Sequence, residues 1–164
     1  MAEMPVALWL IILMCFPMLM LATTTLRYGF FWNACREAAQ RASACQTFLV
    51  DTPQGQSACT TADFWVNKAV GSFSGITVVG APNVYILQTN VATQTQTKNP
   101  NRTPLAVAAD TNTYIYDIQV ELNGQVDPLI PFISMMGSVP GLTGPFPVTV
   151  RSQYSCEIPQ GLNQ

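Results

Sequence analysis

The sequence predicts an α+β fold in which one long N-terminal helix carries a small, mainly antiparallel β-sheet head. Three observations lead there. Residues 5–26 hold no charged side chain and are apolar almost throughout. Residues 28–49 then repeat apolar side chains at three- and four-residue steps, with no turn signal between the two stretches. Beyond residue 75 the pattern changes to short β-branched or alternating runs separated by Pro, Gly and Asn. The 164 residues therefore divide into an apolar helical segment, 1–26, and an amphipathic helix with a β-rich head, 27–164.

The first segment reads "PVALWLIILMCFPMLMLATTTL". A membrane-spanning helix needs about 20 apolar residues, so the run is long enough to cross. A cleavable signal sequence would have an apolar stretch of roughly 7–15 residues, basic residues before it and a small-residue site after it. Here nothing basic precedes the run, and Arg27-Tyr28-Gly29-Phe30-Phe31-Trp32 follows it. Pro17 removes one backbone donor, which predicts a kink or a locally melted turn near residues 13–17.

The second half of the helix places Tyr28, Phe31, Trp32, Cys35, Ala38, Ala39, Ala42, Cys45 and Leu49 on one stripe. Arg36, Glu37, Gln40, Arg41 and Thr47 fall opposite, with Glu37 and Arg41 spaced for an i,i+4 ion pair. The small residues Ala34, Ala38, Ala39, Ala42 and Ala44 suit either helix-on-sheet packing or contact with neighbouring copies. The break is expected only at "DTPQGQ", 51–56, giving one helix over about 5–50.

A second helix is predicted over 60–73, capped by Thr60 or Thr61, with Phe64, Trp65, Ala69 and Phe73 facing inward. Strands are predicted at 75–80, 83–91, 112–122 and 147–158, the first two joined by a hairpin or a tight connection through Ala81-Pro82-Asn83. Tyr114, Tyr116, Ile118 and Val120 share one face of the third. Residues 94–105 read as an exposed polar loop and include the glycosylation sequon Asn101-Arg102-Thr103. Residues 123–147 are apolar yet full of Pro and Gly, which fits either a loop tucked under the sheet or a membrane or subunit contact.

The composition narrows the chemistry. Only 10% of residues are charged, the net charge is −2 and no basic cluster occurs, so the electrostatic footprint of nucleic-acid binding is missing. There is no histidine, the commonest general base. The carboxylates are scattered, and no G-x-S-x-G elbow, phosphate loop or metal-ligand run is found. The expectation is a non-enzymatic protein without a cofactor or metal. Of the five cysteines, Cys15 lies in the apolar run. The others form no C-x-x-C pair. In an oxidising compartment Cys45–Cys59 is the favoured bridge, closing a short loop, with Cys35–Cys156 as a second; buried free thiols are the alternative.

The run from Pro17 to Ala44, ending in "NACREAAQRASA" (33–44), resembles the N-terminal segment of TadE-like pseudopilins of tight-adherence, type IV pilus-like systems. Those proteins join a proline-containing apolar span to an aromatic and arginine-bearing stretch and a similar alanine-rich motif. The strand, "PLIPFI" stretch, glycine-rich link and closing "VTVRSQY" are also similar in order. The family begins with a basic leader cut near an acidic residue. No such leader is visible here, which fits a mature form or different processing, and Glu3 stands as the candidate acidic residue.

The resemblance implies a pilin-like architecture and a structural subunit of an extracellular filament, polymerising through its hydrophobic helix. The alternatives are a minor membrane-anchored pseudopilin of a pilus assembly or secretion machine, and a membrane-anchored binding domain that never polymerises. The implied partners are copies of the chain, the pilus assembly machinery and, before assembly, the inner membrane; the assembled product lies at the cell surface. Glu3, Pro17 and Phe132 are the candidate assembly residues: Glu3 to pair with a neighbour's α-amine, Pro17 within the core helix, and Phe132 in the apolar contact stretch. Arg27, Arg36 and Arg41 follow the span. By the positive-inside rule alone they would hold the head in the cytoplasm; a removed basic leader reconciles them with an external head.

Overall fold

The computed structural model describes residues 3–129 and 144–164. Helix α1 runs from Glu3 to Ser43, 41 residues, about 60 Å at 1.5 Å per residue. Helix α2 spans Ala58–Gly71. The strands are β1 (Ile76–Val78), β2 (Asn83–Asn90), β3 (Gln96–Lys98), β4 (Tyr114–Val126) and β5 (Phe146–Ser155), and a 3-10 turn over Pro159–Asn163 closes the chain. A long apolar N-terminal helix followed by a small antiparallel sheet is the α+β layout expected.

The first half of α1 is helical throughout and runs through Pro17 without interruption, so the locally melted turn does not form. Thr23, Thr24 and Thr25 each donate a hydroxyl to a carbonyl one turn back, which satisfies polar groups that an apolar environment would otherwise strand.

The second half ends at Ser43, seven residues earlier than expected. Its buried stripe is Phe31, Ala34, Cys35, Ala38, Ala39 and Ala42, while Tyr28, Trp32 and Leu49 stay exposed. Ala34, Ala38, Ala39 and Ala42 are buried within the chain's own head, where α1 packs on both the sheet and α2, while Ala44 is exposed. After Ser43 the chain leaves the helix to bury Phe48, which the helical course would have aimed elsewhere. The Phe48 and Leu49 N–H groups donate to carbonyls of the C-terminal turn, Gly161 and Gln164. Arg41 lies over the Trp65 ring, 4.8 Å from its centre, and none of the ion pairs among the described residues joins it to Glu37.

Helix α2 starts two residues before the predicted cap, because Ser57 rather than Thr60 or Thr61 caps it: Ser57 Oγ accepts from the Thr60 N–H at 3.3 Å. Asp51 in turn accepts from the Ser57 N–H at 2.7 Å. Its buried face is the small one, Ala58, Cys59, Thr61, Ala62 and Val66. Phe64 and Phe73 are exposed and Trp65 half-buried. The inward face is thus turned toward the small residues, with Trp65 and Ala69 half-buried at its edge, because small side chains allow α2 to lie close against α1.

The sheet is built on β4. Strand β5 pairs along one edge, from Asp117↔Ser155 to Val126↔Phe146. Strands β2 and β1 share the other edge, β2 against residues 114–121 and β1 against 124–126. Of the two expected connections between them, the hairpin does not form and a tight, bulged continuation along the same edge does: four residues, 79–82, oppose Leu122 and Asn123 alone, with Gly80 at φ +81. Bulges of this kind bend a strand. Tyr116, Ile118, Val120, Leu122 and Val126 alternate inward along β4, with Val84 and Ile86 of β2 and Val148 and Val150 of β5. The polar segment 94–105 contributes edge strand β3 and buries Leu105, so it is more ordered than a free loop. Asn101 of the sequon serves as a brace: Oδ1 accepts from the Val84 N–H and Nδ2 donates to Asn83.

Candidate assembly interface

Two surfaces stand out. The first is the lower half of α1. Between Leu8 and Leu26, nine large apolar side chains are 57–72% exposed, among them Leu8, Trp9, Met14, Met18, Leu21 and Leu26. They surround the helix rather than forming one stripe. Covering a large apolar side chain is worth about 1.5–3 kcal/mol. Leaving nine of them mostly in water thus forgoes roughly 10–15 kcal/mol, comparable to the whole stability of a typical domain. This helix is long and apolar enough to cross a membrane. Met20, buried at 3%, marks a sheltered line that continues toward Phe31.

The second surface is the seam between α1 and α2. Phe30 of α1 stacks on Phe73, just past α2, with ring centres 4.1 Å apart. Both rings keep an exposed face. Above them Trp65 is clasped between Arg41 and Lys68, whose Nζ lies 4.6 Å from the ring centre. Phe64 meets Trp65 edge-on at 5.7 Å. A groove of about 320 Å³ runs between these rings, lined also by Asn33, Glu37 and Lys68. The seam continues upward from the apolar half of the same helix, through Leu26.

Arg27 sits where the two halves meet. Its guanidinium donates to the Asp127 carbonyl and lies against Gly75, whose φ of +79 and missing side chain make room for it: a Cβ there would be 2.4 Å from Arg27 Cζ. Arg27 therefore ties the base of the head to α1. Higher in the core, the Cys35 thiol donates to the Val120 carbonyl at 3.3 Å, and burial pushes its pKa up to about 12.

The predicted site residues fare differently. Glu3 opens α1, but its side chain lies outside the described residues. Pro17 sits in the exposed apolar half of α1. Phe132, with the rest of "PLIPFI" beyond Leu129, falls outside the described residues. All five cysteines are free thiols. Cys35 and Cys156 are not brought together: Cys35 faces Val120 and Val150, whereas Cys156 lies four residues beyond Ser152, the partner of Val120. That is about 13 Å along a strand at about 3.3 Å per residue, too far for a bridge. Cys45 and Cys59 do share one neighbourhood. Among the described residues, no group of three or more metal-ligating side chains is placed to hold a metal ion.

The residues that sequence reasoning misplaced are Phe64 and Phe73, whereas Trp65 packs against the core as expected. The signal for their position was the small-residue period Ala58, Ala62, Val66 on the other side of α2. Comparison with known proteins gives no match to a family model, a curated protein or a solved structure.

Proposed function

We propose that this chain is a structural subunit of a pilus-like extracellular filament, anchored in a membrane through the apolar half of α1 before assembly and packed against other copies through it afterwards. The observation that carries the reading is the contrast within one helix. Residues 31–42 bury a stripe against the chain's own head, while residues 8–26 expose large apolar side chains around the helix. A segment with that surface needs lipid or protein on every side. A bundle of identical helices supplies it, and the seam at Phe30 and Phe73 extends the same apolar surface onto the head. The resemblance of residues 17–44 to TadE-like pseudopilins supports the same reading.

The test is fractionation. Cells expressing the full chain are sheared, and the released surface material and the membranes are probed separately. A structural subunit is abundant in sheared fibres. Trace amounts in fibres, with most of the protein in the membrane, would instead indicate a minor priming subunit, and complete absence from fibres a non-polymerising anchored domain.

A further inference from the structure

Three cysteines from three distant parts of the chain meet at the top of the head. Cys45 lies just past the end of α1, Cys59 in the first turn of α2, and Cys156 just past β5. Hydrogen bonds bring them together. The Glu157 N–H donates to the Ser43 carbonyl at 2.9 Å, which sets Cys156 beside the turn that holds Cys45. Cys45 Sγ lies 3.3 Å from the Thr61 hydroxyl, two residues from Cys59 on α2. The Cys59 N–H donates to the Phe48 carbonyl at 3.1 Å, so the strand of chain leaving Cys45 passes directly in front of α2. Cys59 and Cys156 are buried, and Cys45 is the most accessible of the three. Each of the two buried thiols lies within electrostatic reach of Cys45. Cys35 is remote: Ser43, where α1 ends, already lies eight helical residues above it, about 12 Å at 1.5 Å per residue.

We propose that Cys45 is a disulfide hub: on exposure to a small-molecule or protein disulfide it forms one intramolecular bridge, to Cys59 or to Cys156, and the third thiol stays free. The two bridges are mutually exclusive because both use the same sulfur. In the first step the Cys45 thiolate attacks one sulfur of the oxidant's S–S bond, forming a mixed disulfide and expelling one thiolate. In the second, the thiolate of Cys59 or Cys156 attacks Cys45 Sγ, breaking the mixed disulfide and releasing the other half of the oxidant as a thiol. Two electrons pass from the protein to the oxidant, and the two protons lost by the protein end on the two leaving thiols. Either bridge pins the end of α1 to the head at the point where the chain turns away from the helix. Burial raises the pKa of all three thiols, so the exchange is slow at neutral pH and quickens as pH rises.

The experiment uses the full chain in detergent micelles, oxidised with glutathione disulfide at mildly alkaline pH. Free thiols are then alkylated and the peptides mapped without reduction. The expected wild-type product contains Cys45 bridged to Cys59 or Cys156, with Cys35 alkylated. Cys59→Ala moves the whole bridge to Cys156, Cys156→Ala moves it to Cys59, and Cys45→Ser abolishes internal bridging. Full alkylation or stable glutathionylation of Cys45 in the wild type overturns the proposal. So does a Cys59–Cys156 bridge in Cys45→Ser, any bridge through Cys35, or failure of either alanine variant to redirect the bridge while its circular dichroism is native. The wild-type map stands even where a variant fails to fold.

Discussion

The ring of Phe31 fills the space that a side chain at Gly124 would need: a Cβ at 124 would stand 2.6 Å from Phe31 Cζ and 2.8 Å from the Thr77 carbonyl oxygen. This contact seats α1 on the C-terminal end of β4, in the otherwise regular inward alternation that ends at Val126. Gly124→Ala is expected to destabilise the head by roughly 1–3 kcal/mol, the usual range for overpacking a core. Urea unfolding of the full chain in micelles checks it. A variant as stable as wild type would show that α1 does not sit this close to the sheet.

A second prediction concerns Arg102, at φ +51. Its guanidinium pairs with both oxygens of Asp63 and also donates to the Pro82 carbonyl. It thereby joins the 99–105 segment to α2 and to the bulge before β2. Both partners are only partly exposed, so the pair is stronger than a surface bridge. Arg102→Ala is expected to cost about 1–3 kcal/mol. A double-mutant cycle with Asp63→Ala should return a coupling of at least about 0.5 kcal/mol; additive losses would show that the two residues act independently.

The amount of this architecture legible in the sequence follows a physical division. Residues 5–26 and the alternation along β4 were readable because each repeats one signal over many residues. The end of α1 was not, since nothing in "ACQTFLV" opposes a helix locally; the chain turns there because Phe48 and the C-terminal turn pair over a long sequence distance. Gly161 is part of that closure. A Cβ on it would be 1.6 Å from the Gln46 carbonyl oxygen. The orientation of α2 was missed because the largest side chains were assumed to be inside, whereas close packing on α1 selects Ala58, Ala62 and Val66. At the candidate interface, the apolar helix was legible as a surface needing cover. The seam was not, because it exists only once Phe30 and Phe73 are brought together from 43 residues apart.

The reduced protein should lose stability in alkali. Cys59 is held protonated by burial, its pKa raised from 9.0 to about 11. The folded state therefore binds this proton more tightly than the unfolded chain does. The resulting stabilisation is complete below pH 9 and is lost as pH rises through about 11; a shift of this size corresponds to roughly 2–3 kcal/mol. Thermal midpoints of reduced wild type should fall across this window more steeply than those of Cys59→Ala. Equal slopes would rule Cys59 out as the source.

The seam yields a separation of folding from assembly. Phe30 and Phe73 are 43% and 41% exposed, so Phe73→Asp places its charge at the surface and should alter the thermal midpoint by only a few degrees. If the seam packs against another copy, the same variant should form few or no fibres, because the charge would be buried on assembly. Normal fibre yield from a folded Phe73→Asp protein would remove the seam from the interface and leave the lower half of α1 as the contact.

The most direct measurement is electron microscopy of the purified full chain as detergent is withdrawn. A filament subunit is expected to form thin, regular fibres with the heads outside and the apolar halves of α1 bundled along the axis. Leu21→Glu, which puts a charge on that bundle, should abolish them while the head stays folded. Discrete monomeric particles held in lipid or detergent, with no fibres under any condition that leaves the head native, would contradict the account.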